Sequence, residues 1–177
     1  MSQTPTDAAL VAAARSGSDA AFGRLVDRHQ QDLRRFVRRL CPVSSEADDI
    51  AQEALLSAWS RLRTLRDGAR FKTWLFSIAW NTVRSTSRSA VRRRDRDTRW
   101  QSEQDEASDP QHERHIALQQ ALSELSEEQR AAVALCLAGG WSHAEAAQIL
   151  SMPLGTLKSH VTRGRARLEA ILGVSHD

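Results

Sequence analysis

Basic side chains and short polar side chains recur together between Thr156 and Arg167, near the end of the sequence. An α-helix turns by about 100° per residue, so a helix here places Ser159, Thr162 and Arg163 opposite its apolar residues. We call this outward face of the helix the crest. Short side chains on the crest can approach base edges, while long cations at its borders reach phosphates. The pattern favours a helix that lies in the major groove of DNA; the alternative is a solvated basic helix. The bordering residues are Lys158, His160, Arg165 and Arg167.

The residues before and after this crest have the proportions of a helix-turn-helix. Ser142 and Glu145 form a capping-box pattern that begins a short helix, and residues 151–155 carry the turn signals that end it. A second capping box, at residues 126–129, begins an earlier helix that Gly139 and Gly140 end. The apolar positions that predict the longer, final helix are Leu157, Val161, Gly164, Leu168 and Ile171.

A helix predicted from Ser45 to about Arg66 carries large apolar residues on its charged face. When its alanines point inward, Leu56 and Trp59 lie on or near the opposite side. Large apolar groups among charges are typical of a surface that binds another protein. The alternative is that the first short helix or the linker covers them. The charged and polar neighbours are Asp48, Asp49, Gln52 and Arg63.

A fourth predicted helix, which begins at about Phe71, mixes aromatic side chains with cations. Phe71, Lys72 and Trp74 are followed by Trp80 and Asn81, and residues 84–99 hold seven arginines against two aspartates. Aromatic rings stack on exposed bases and cations neutralise phosphates, so the mixture favours single-stranded nucleic acid. The alternative is that these aromatic residues belong to the core.

Composition and missing motifs exclude several classes of protein. Among 177 residues there are only 8 glycines and 4 prolines and no tyrosine, which favours a helical chain over a turn-rich β protein. Cys41 and Cys136 lack a partner at metal-ligand spacing, and His112 and His115 lack a third ligand. With no phosphate loop, nucleophile elbow, leader or membrane-length apolar stretch in the sequence, we expect a cytoplasmic protein that is not an enzyme, needs no cofactor and enters no membrane.

The elements predict an all-α fold of two small helical bundles. A short helix capped by Thr6 or Asp7 and a long one capped by Asp19 and ended by Pro42 complete the first bundle, residues 1–94. An acidic flexible linker, residues 95–113, is expected to separate it from the second bundle, residues 114–177. The overall net charge of +3 is thus the remainder of opposed local charges.

Two sets of residues carry a resemblance to a known family. EADDIAQEALLSAW at 46–59 and FKTWLFSIAWN at 71–81 resemble the second conserved region of extracytoplasmic-function (ECF) bacterial sigma factors. GGWSHAEAAQIL at 139–150 and PLGTLKSH at 153–160 resemble their fourth region. The resemblance implies a protein that binds core RNA polymerase, at the β′ clamp helices and the β flap, and directs it to promoter DNA. It also implies an anti-sigma factor or other regulatory partner.

The family's functional positions carry over to this sequence residue by residue. For core polymerase the resemblance implies Asp48, Asp49, Gln52, Glu53, Leu56 and Trp59. For capture of the minus-ten element it implies Leu65, Arg66, Arg70, Phe71, Lys72, Trp74, Ile78 and Asn81. For the minus-thirty-five element it implies Thr156, Lys158, Ser159, His160, Thr162, Arg163, Arg165 and Arg167.

The sequence departs from the family pattern at Trp80 and Lys158. Trp80 replaces a residue that is often small or basic, so a differently shaped single-strand pocket is expected. Lys158 replaces a frequent arginine and exchanges a bidentate fork for a point charge. The alternative function is a stand-alone helix-turn-helix regulator of duplex operators, which would not need the face from Asp49 to Trp59.

Overall fold

The computed structural model describes residues 4–41, 44–94 and 110–173, and these ranges contain helices and turns but no strand. The all-α prediction is therefore confirmed for the described chain. The helices are α1 (Asp7–Arg15), α2 (Asp19–Leu40), α3 (Ser44–Arg61), α4 (Phe71–Arg94), α5 (Pro110–Ser123), α6 (Glu127–Val133), α7 (His143–Ile149) and α8 (Leu154–Leu172). Two 3₁₀ turns, Leu62–Thr64 and Gly68–Arg70, join α3 to α4, and a π turn, Ala134–Ala138, extends α6.

Helices α1 to α4 pack around one apolar core, and each of the first two begins at a hydroxyl cap. The Thr6 side chain accepts a hydrogen bond from the Ala9 N–H, as predicted. Helix α2 is capped by Ser18, which accepts from the Ala21 N–H, and not by Asp19. Asp19 instead lies in the first turn, where its negative charge interacts favourably with the helix dipole.

Helix α3 ends at Arg61, which corrects the prediction of a helix to about Arg66. The chain then passes through the two 3₁₀ turns, which keep Leu62 and Leu65 in the core. The Asp67 carboxylate accepts from the Ala69 N–H at 3.0 Å and holds the second turn. The Asp48 carboxylate accepts two hydrogen bonds of 3.0 Å from Arg38 of α2.

The C-terminal helices begin at both predicted capping boxes. The Ser142 hydroxyl and N–H donate to the Glu145 carboxylate, and these bonds hold the pKa of Glu145 below its usual range. Gly140 has φ +67°, a left-handed conformation that glycine adopts without a steric cost. Helix α5 begins at Pro110, inside the predicted linker. Proline is compatible with the first turn of a helix, so it does not prevent this start. Residues 95–109 of that linker lie outside the described residues.

The two bundles contact each other, which the sequence did not predict. The Phe76 ring of α4 lies 4.9 Å from the Trp141 ring, centroid to centroid. The Arg130 guanidinium of α6 donates to the Leu40 carbonyl of α2 at 2.9 Å, and burial lowers the pKa of Arg130. We call this contact the seam, defined by Phe76 with Trp141 and Arg130 with Leu40.

Both cysteines are half-buried free thiols. Burial, reinforced by Glu46, raises the pKa of Cys41 to about 11, and burial also raises the pKa of Cys136. Both thiols are therefore protonated at neutral pH, a state in which cysteine is a poor nucleophile.

Substitution of Gly164 tests the packing of α8 on α6. A Cβ at this position would lie 2.7 Å from the Val133 Cγ2, so Gly164→Ala forces a shift in the core. Overpacking costs about 1–3 kcal/mol, partly offset by about 1 kcal/mol of helix propensity. We expect a lower urea midpoint for this variant by circular dichroism.

Gly155→Ala in the same helix is the matched control, because a Cβ added at this position would have no atom within 4 Å. This variant should be as stable as the parent or slightly more stable. Equal midpoints for the two variants would contradict the packing described.

Candidate nucleic-acid interface

Helices α7 and α8 form the predicted helix-turn-helix, with the basic crest outward. Leu157, Val161 and Gly164 are buried against the rest of the bundle. The crest and its borders are exposed at Thr156, Lys158, Thr162, Arg163, Arg165 and Arg167, and half-buried at Ser159 and His160. The orientation predicted from the helical periodicity is therefore the one that the structure has.

The cations of α8 differ in how far they are already paired. Arg165 forms a 2.7 Å ion pair with Glu169, and Arg167 lies 3.6 Å from Glu124. Lys158 and Arg163 have no ion pair within the described chain. These two side chains are consequently the ones that can bind an anion without first losing a carboxylate.

The hydroxyl groups on the crest donate to their own helix. Ser159 donates to the Gly155 carbonyl and Thr162 to the Lys158 carbonyl, each at 3.0 Å. Each oxygen keeps its acceptor lone pairs free, so both can accept from a base amino group. Short, pre-oriented acceptors between two free cations suit contact with base edges.

The outward face of α3 carries the exposed apolar pair that the sequence predicted. The Leu56 side chain is 70% exposed and Trp59 is 39% exposed. Trp59 rests on Phe22 of α2, with 4.6 Å between ring centroids, so its orientation is fixed although its outer face is open. Helix α1 does not cover the pair. Asp49, Gln52 and Glu53 are exposed nearby, whereas Asp48 is half-buried and tied to Arg38.

The turns between α3 and α4 enclose one wall of an open cavity of about 350 Å³. This volume is at the lower end of pockets that hold small molecules, which fits one nucleotide better than several. Arg66 and Arg70 are exposed at its edge, and Trp74 presents an aromatic side chain to it. The lining residues are Leu65, Arg66, Asp67, Arg70, Thr73, Trp74, Ser77 and Gln148.

Three residues of the predicted minus-ten set are buried in the core, and of these only Leu65 also lines the cavity. Phe71 and Ile78 are buried, because Phe71 packs edge-on against Phe22 and beside His29. Neither presents an exposed surface in this conformation, and their contact with the minus-ten element stays a prediction. Trp80 is also buried, with the Arg84 guanidinium 5.6 Å from its ring, and does not shape the cavity.

Lys72 and Asn81 lie outside the cavity lining. Asn81 is exposed on α4. Lys72 is half-buried at the seam, where its Nζ lies 3.0 Å from the Asp32 carboxylate and 5.0 Å from the Trp141 ring. The sequence analysis did not predict Gln148 of α7 as a lining residue. Gln148 reaches the cavity only because the two bundles meet at the seam, and helical periodicity does not predict such a contact.

The described residues contain no group of three His, Cys, Asp or Glu side chains that could hold a metal ion. His112 and His115 lie in α5, but their side chains are outside the described part. No described helix is both long and apolar enough to cross a bilayer.

Comparisons with known proteins match both halves of the chain. The family models for Sigma-70 region 2 and Sigma-70 region 4 match residues 25–96 and 115–168. The ECF RNA polymerase sigma factor SigM of Mycobacterium tuberculosis is 37% identical over 170 residues, which cover 95% of this chain and 85% of that protein. The ECF sigma-E factor of Escherichia coli is 30% identical over 183 residues, covering 96% and 95%.

Solved structures show the same fold. The sigma factor RpoE of Bartonella quintana, in complex with the anti-sigma factor NepR, has a TM-score of 0.74 at 30% identity and covers 88% of this chain and 98% of its own. CnrH, in complex with the cytosolic domain of CnrY, has a TM-score of 0.75 at 27% identity and covers 96% and 99%. The chain therefore belongs to the ECF family of RNA polymerase sigma factors.

Proposed function

We propose that residues 1–94 of this sigma factor bind core polymerase and the minus-ten element, and that residues 114–177 read the minus-thirty-five element, with residues 95–113 as the linker. The observation that carries the proposal is the presence of three different surfaces on one chain. These are the apolar pair on an acidic face, the nucleotide-sized cavity, and the basic crest. A stand-alone regulator accounts only for the third.

The proposed polymerase-binding face is the outer side of α3. Leu56 and Trp59 supply the apolar centre, and the exposed Asp49, Gln52 and Glu53 supply a polar and acidic border. Interfaces commonly combine a desolvated aromatic or aliphatic anchor with a charged rim. The face therefore suits an apolar partner surface bordered by basic residues, such as the β′ clamp helices.

Removal of the apolar pair should weaken core binding. The double variant Leu56→Ala, Trp59→Ala loses two candidate anchors that together are worth about 2 kcal/mol or more. We expect the dissociation constant for core polymerase to rise by at least about thirtyfold, measured by fluorescence anisotropy. Leu172→Ala is the control, because Leu172 is an exposed leucine (39%) that lies outside this face. Unchanged core affinity in the double variant would refute the assignment.

The proposed minus-ten site is the cavity beside α4. A base flipped from the non-template strand can stack on the Trp74 side while Arg66 and Arg70 meet the flanking phosphates. Leu65 closes the inner wall, and Phe71 and Ile78 support it from the core. Enclosure of a single base explains how strand opening is coupled to sequence preference.

The proposed minus-thirty-five site is the crest of α8. Because Arg163 is exposed and Arg165 is already paired with Glu169, the two arginines should differ in importance. Loss of a specific base contact costs about 1–3 kcal/mol. We expect Arg163→Ala to reduce run-off transcription from promoters that need the upstream element by about five- to a hundredfold, and Arg165→Ala to reduce it less.

Core binding distinguishes this role from others. Both arginine variants should bind core polymerase as the parent does. Loss of core affinity in Arg163→Ala would mean that α8 contacts the polymerase and not DNA.

Simultaneous contact with both promoter elements requires the seam to open. The elements lie roughly 25 base pairs apart, or about 85 Å at about 3.4 Å per base pair. Trp141 and Phe76 are only 4.9 Å apart in the structure. The closed molecule also places Gln148 in the lining of the minus-ten cavity and holds Lys72 beside Trp141.

Energy transfer between two dyes reports this opening. We expect a pair placed through Ser60→Cys and Ala170→Cys, with Cys41→Ala and Cys136→Ala, to show lower transfer in the holoenzyme than in the free protein. Trp141→Ala should lower transfer in the free protein and leave the holoenzyme value unchanged. Equal transfer in free and polymerase-bound protein would contradict separation of the bundles.

The proposal assigns no catalysis and no cofactor to the chain, because its work is binding and positioning. It also places the protein in the bacterial cytoplasm, where polymerase and promoters are found. Since the similar solved structures are complexes with NepR and CnrY, a regulatory protein partner is proposed here as well.

A further inference from the structure

Helix α1 packs through its backbone against the turn Gly68–Arg70, which we call the cavity turn. The helix carries none of the residues assigned above to polymerase or DNA binding. A Cβ at Gly68 would lie 3.0 Å from the Ala8 Cα, 3.2 Å from the Val11 Cβ and 3.4 Å from the Ala8 carbonyl oxygen. The two shorter distances are well below ordinary van der Waals contact, and the Ala8 Cα belongs to backbone that cannot rotate away. Glycine therefore allows the turn Gly68–Arg70 to lie directly against α1.

The cavity turn has few other attachments. Its hydrogen bonds within the described residues are local ones, from the Ala69 and Arg70 N–H groups to Asp67 and from the Phe71 N–H to the Gly68 carbonyl. Arg66, Asp67, Ala69 and Arg70 are all exposed. Leu65 before the turn and Phe71 after it anchor the two ends of the segment in the core. Between these two ends, the packing surface of the turn is the one that α1 offers to Gly68.

Helix α1 is itself clamped at its N-terminal end. The Asp7 carboxylate forms an ion pair with Arg28 and accepts a hydrogen bond from His29, whose Nε2 lies 2.7 Å from Oδ2. Arg28 also donates to the Pro5 carbonyl at 2.9 Å. His29 is buried, and its ring lies 5.7 Å from that of Phe71, the first residue of α4. We call Asp7, Arg28 and His29 the clasp.

The C-terminal end of α1 is attached as well. The Arg15 Nε donates to the Leu62 carbonyl at 3.3 Å, in the first 3₁₀ turn. Helix α1 therefore contacts both 3₁₀ turns between α3 and α4. Through His29, the clasp also connects α1 to Phe71 at the start of α4.

We propose that α1 is a positioning element for base capture, with Asp7 of α1 and Gly68 of the turn as the positioning residues. The inference rests on the proposed minus-ten role of the cavity. A turn held in place before DNA arrives loses less conformational entropy when the base enters. A turn displaced from α1 still lets the protein bind polymerase and the upstream element, but captures the flipped base poorly.

The test combines a protein variant with removal of one base. Holoenzyme is assembled with the parent chain, Gly68→Ala or the control Gly23→Ala, whose added methyl has no atom within 4 Å. Promoter templates carry either the full minus-ten element or single abasic sites along its non-template strand, and the lifetime of the open complex is measured.

For the parent and for Gly23→Ala, we expect one abasic position to shorten the lifetime by about tenfold. For Gly68→Ala, the lifetime on the intact template should already be about tenfold shorter, and the abasic site should add less than twofold. Core affinity should stay within twofold of the parent in all three. This non-additivity is what a merely structural defect would not produce.

Additive effects of Gly68→Ala and the abasic site would overturn the positioning role. Insensitivity of the parent to every abasic site would instead refute the proposed minus-ten function of the cavity. Asp7→Asn provides a second variant if Gly68→Ala does not fold, with Asp19→Asn as its matched control in the first turn of α2. The same non-additivity is expected for Asp7→Asn, and its absence counts against the proposal.

Discussion

Packing around Phe71 is the interaction on which the N-terminal surfaces depend. This buried ring contacts Phe22 edge-on at 6.4 Å, His29 at 5.7 Å and Trp74 at 6.1 Å, centroid to centroid. Phe22 in turn carries Trp59, so the cluster joins the outer face of α3 to the cavity wall. An aromatic ring in a dense core cannot shift without moving its neighbours. The surfaces proposed for polymerase and for the minus-ten base therefore share one rigid support.

The seam adds a second level of organisation. Lys72 lies between the Asp32 carboxylate and the Trp141 ring, and Gln148 lines the cavity from the other bundle. In the closed molecule the Lys72 ammonium thus has both a carboxylate and an aromatic ring as partners. The seam is also apolar, because the buried residues of both bundles form one continuous cluster and Phe76 is only 2% exposed. Opening it exposes apolar surface, which new contacts with polymerase and DNA must offset. The fold thus combines a rigid N-terminal support with a replaceable contact between bundles.

Local signals in the sequence predicted much of this structure. Thr6, Ser126 and Ser142 mark helix starts correctly because a cap is a short-range hydrogen bond. The periodicity of α8 predicted its outward face, and the alanine stripe of α3 predicted exposure of Leu56 and Trp59. Each of these depends on residues a few positions apart.

Features that depend on distant contacts were not predictable in this way. Helix α3 ends at Arg61, although Leu62 and Leu65, three residues apart, would also share one face of a longer helix, so periodicity carries no signal for this end. Phe71 and Ile78 carry no local mark that distinguishes a core aromatic or aliphatic residue from one that faces a base. The seam and the contact of α1 with Gly68 join segments far apart in sequence, so only the folded chain reveals them.

The most direct test of the account is in vitro transcription of bacterial genomic DNA with purified core polymerase and this protein, followed by sequencing of the transcript 5′ ends. The account predicts start sites that depend on both components and that share two upstream sequence elements at a fixed spacing. Start sites without shared elements, or tight sequence-specific binding to duplex DNA by the protein alone with no affinity for core polymerase, would contradict it.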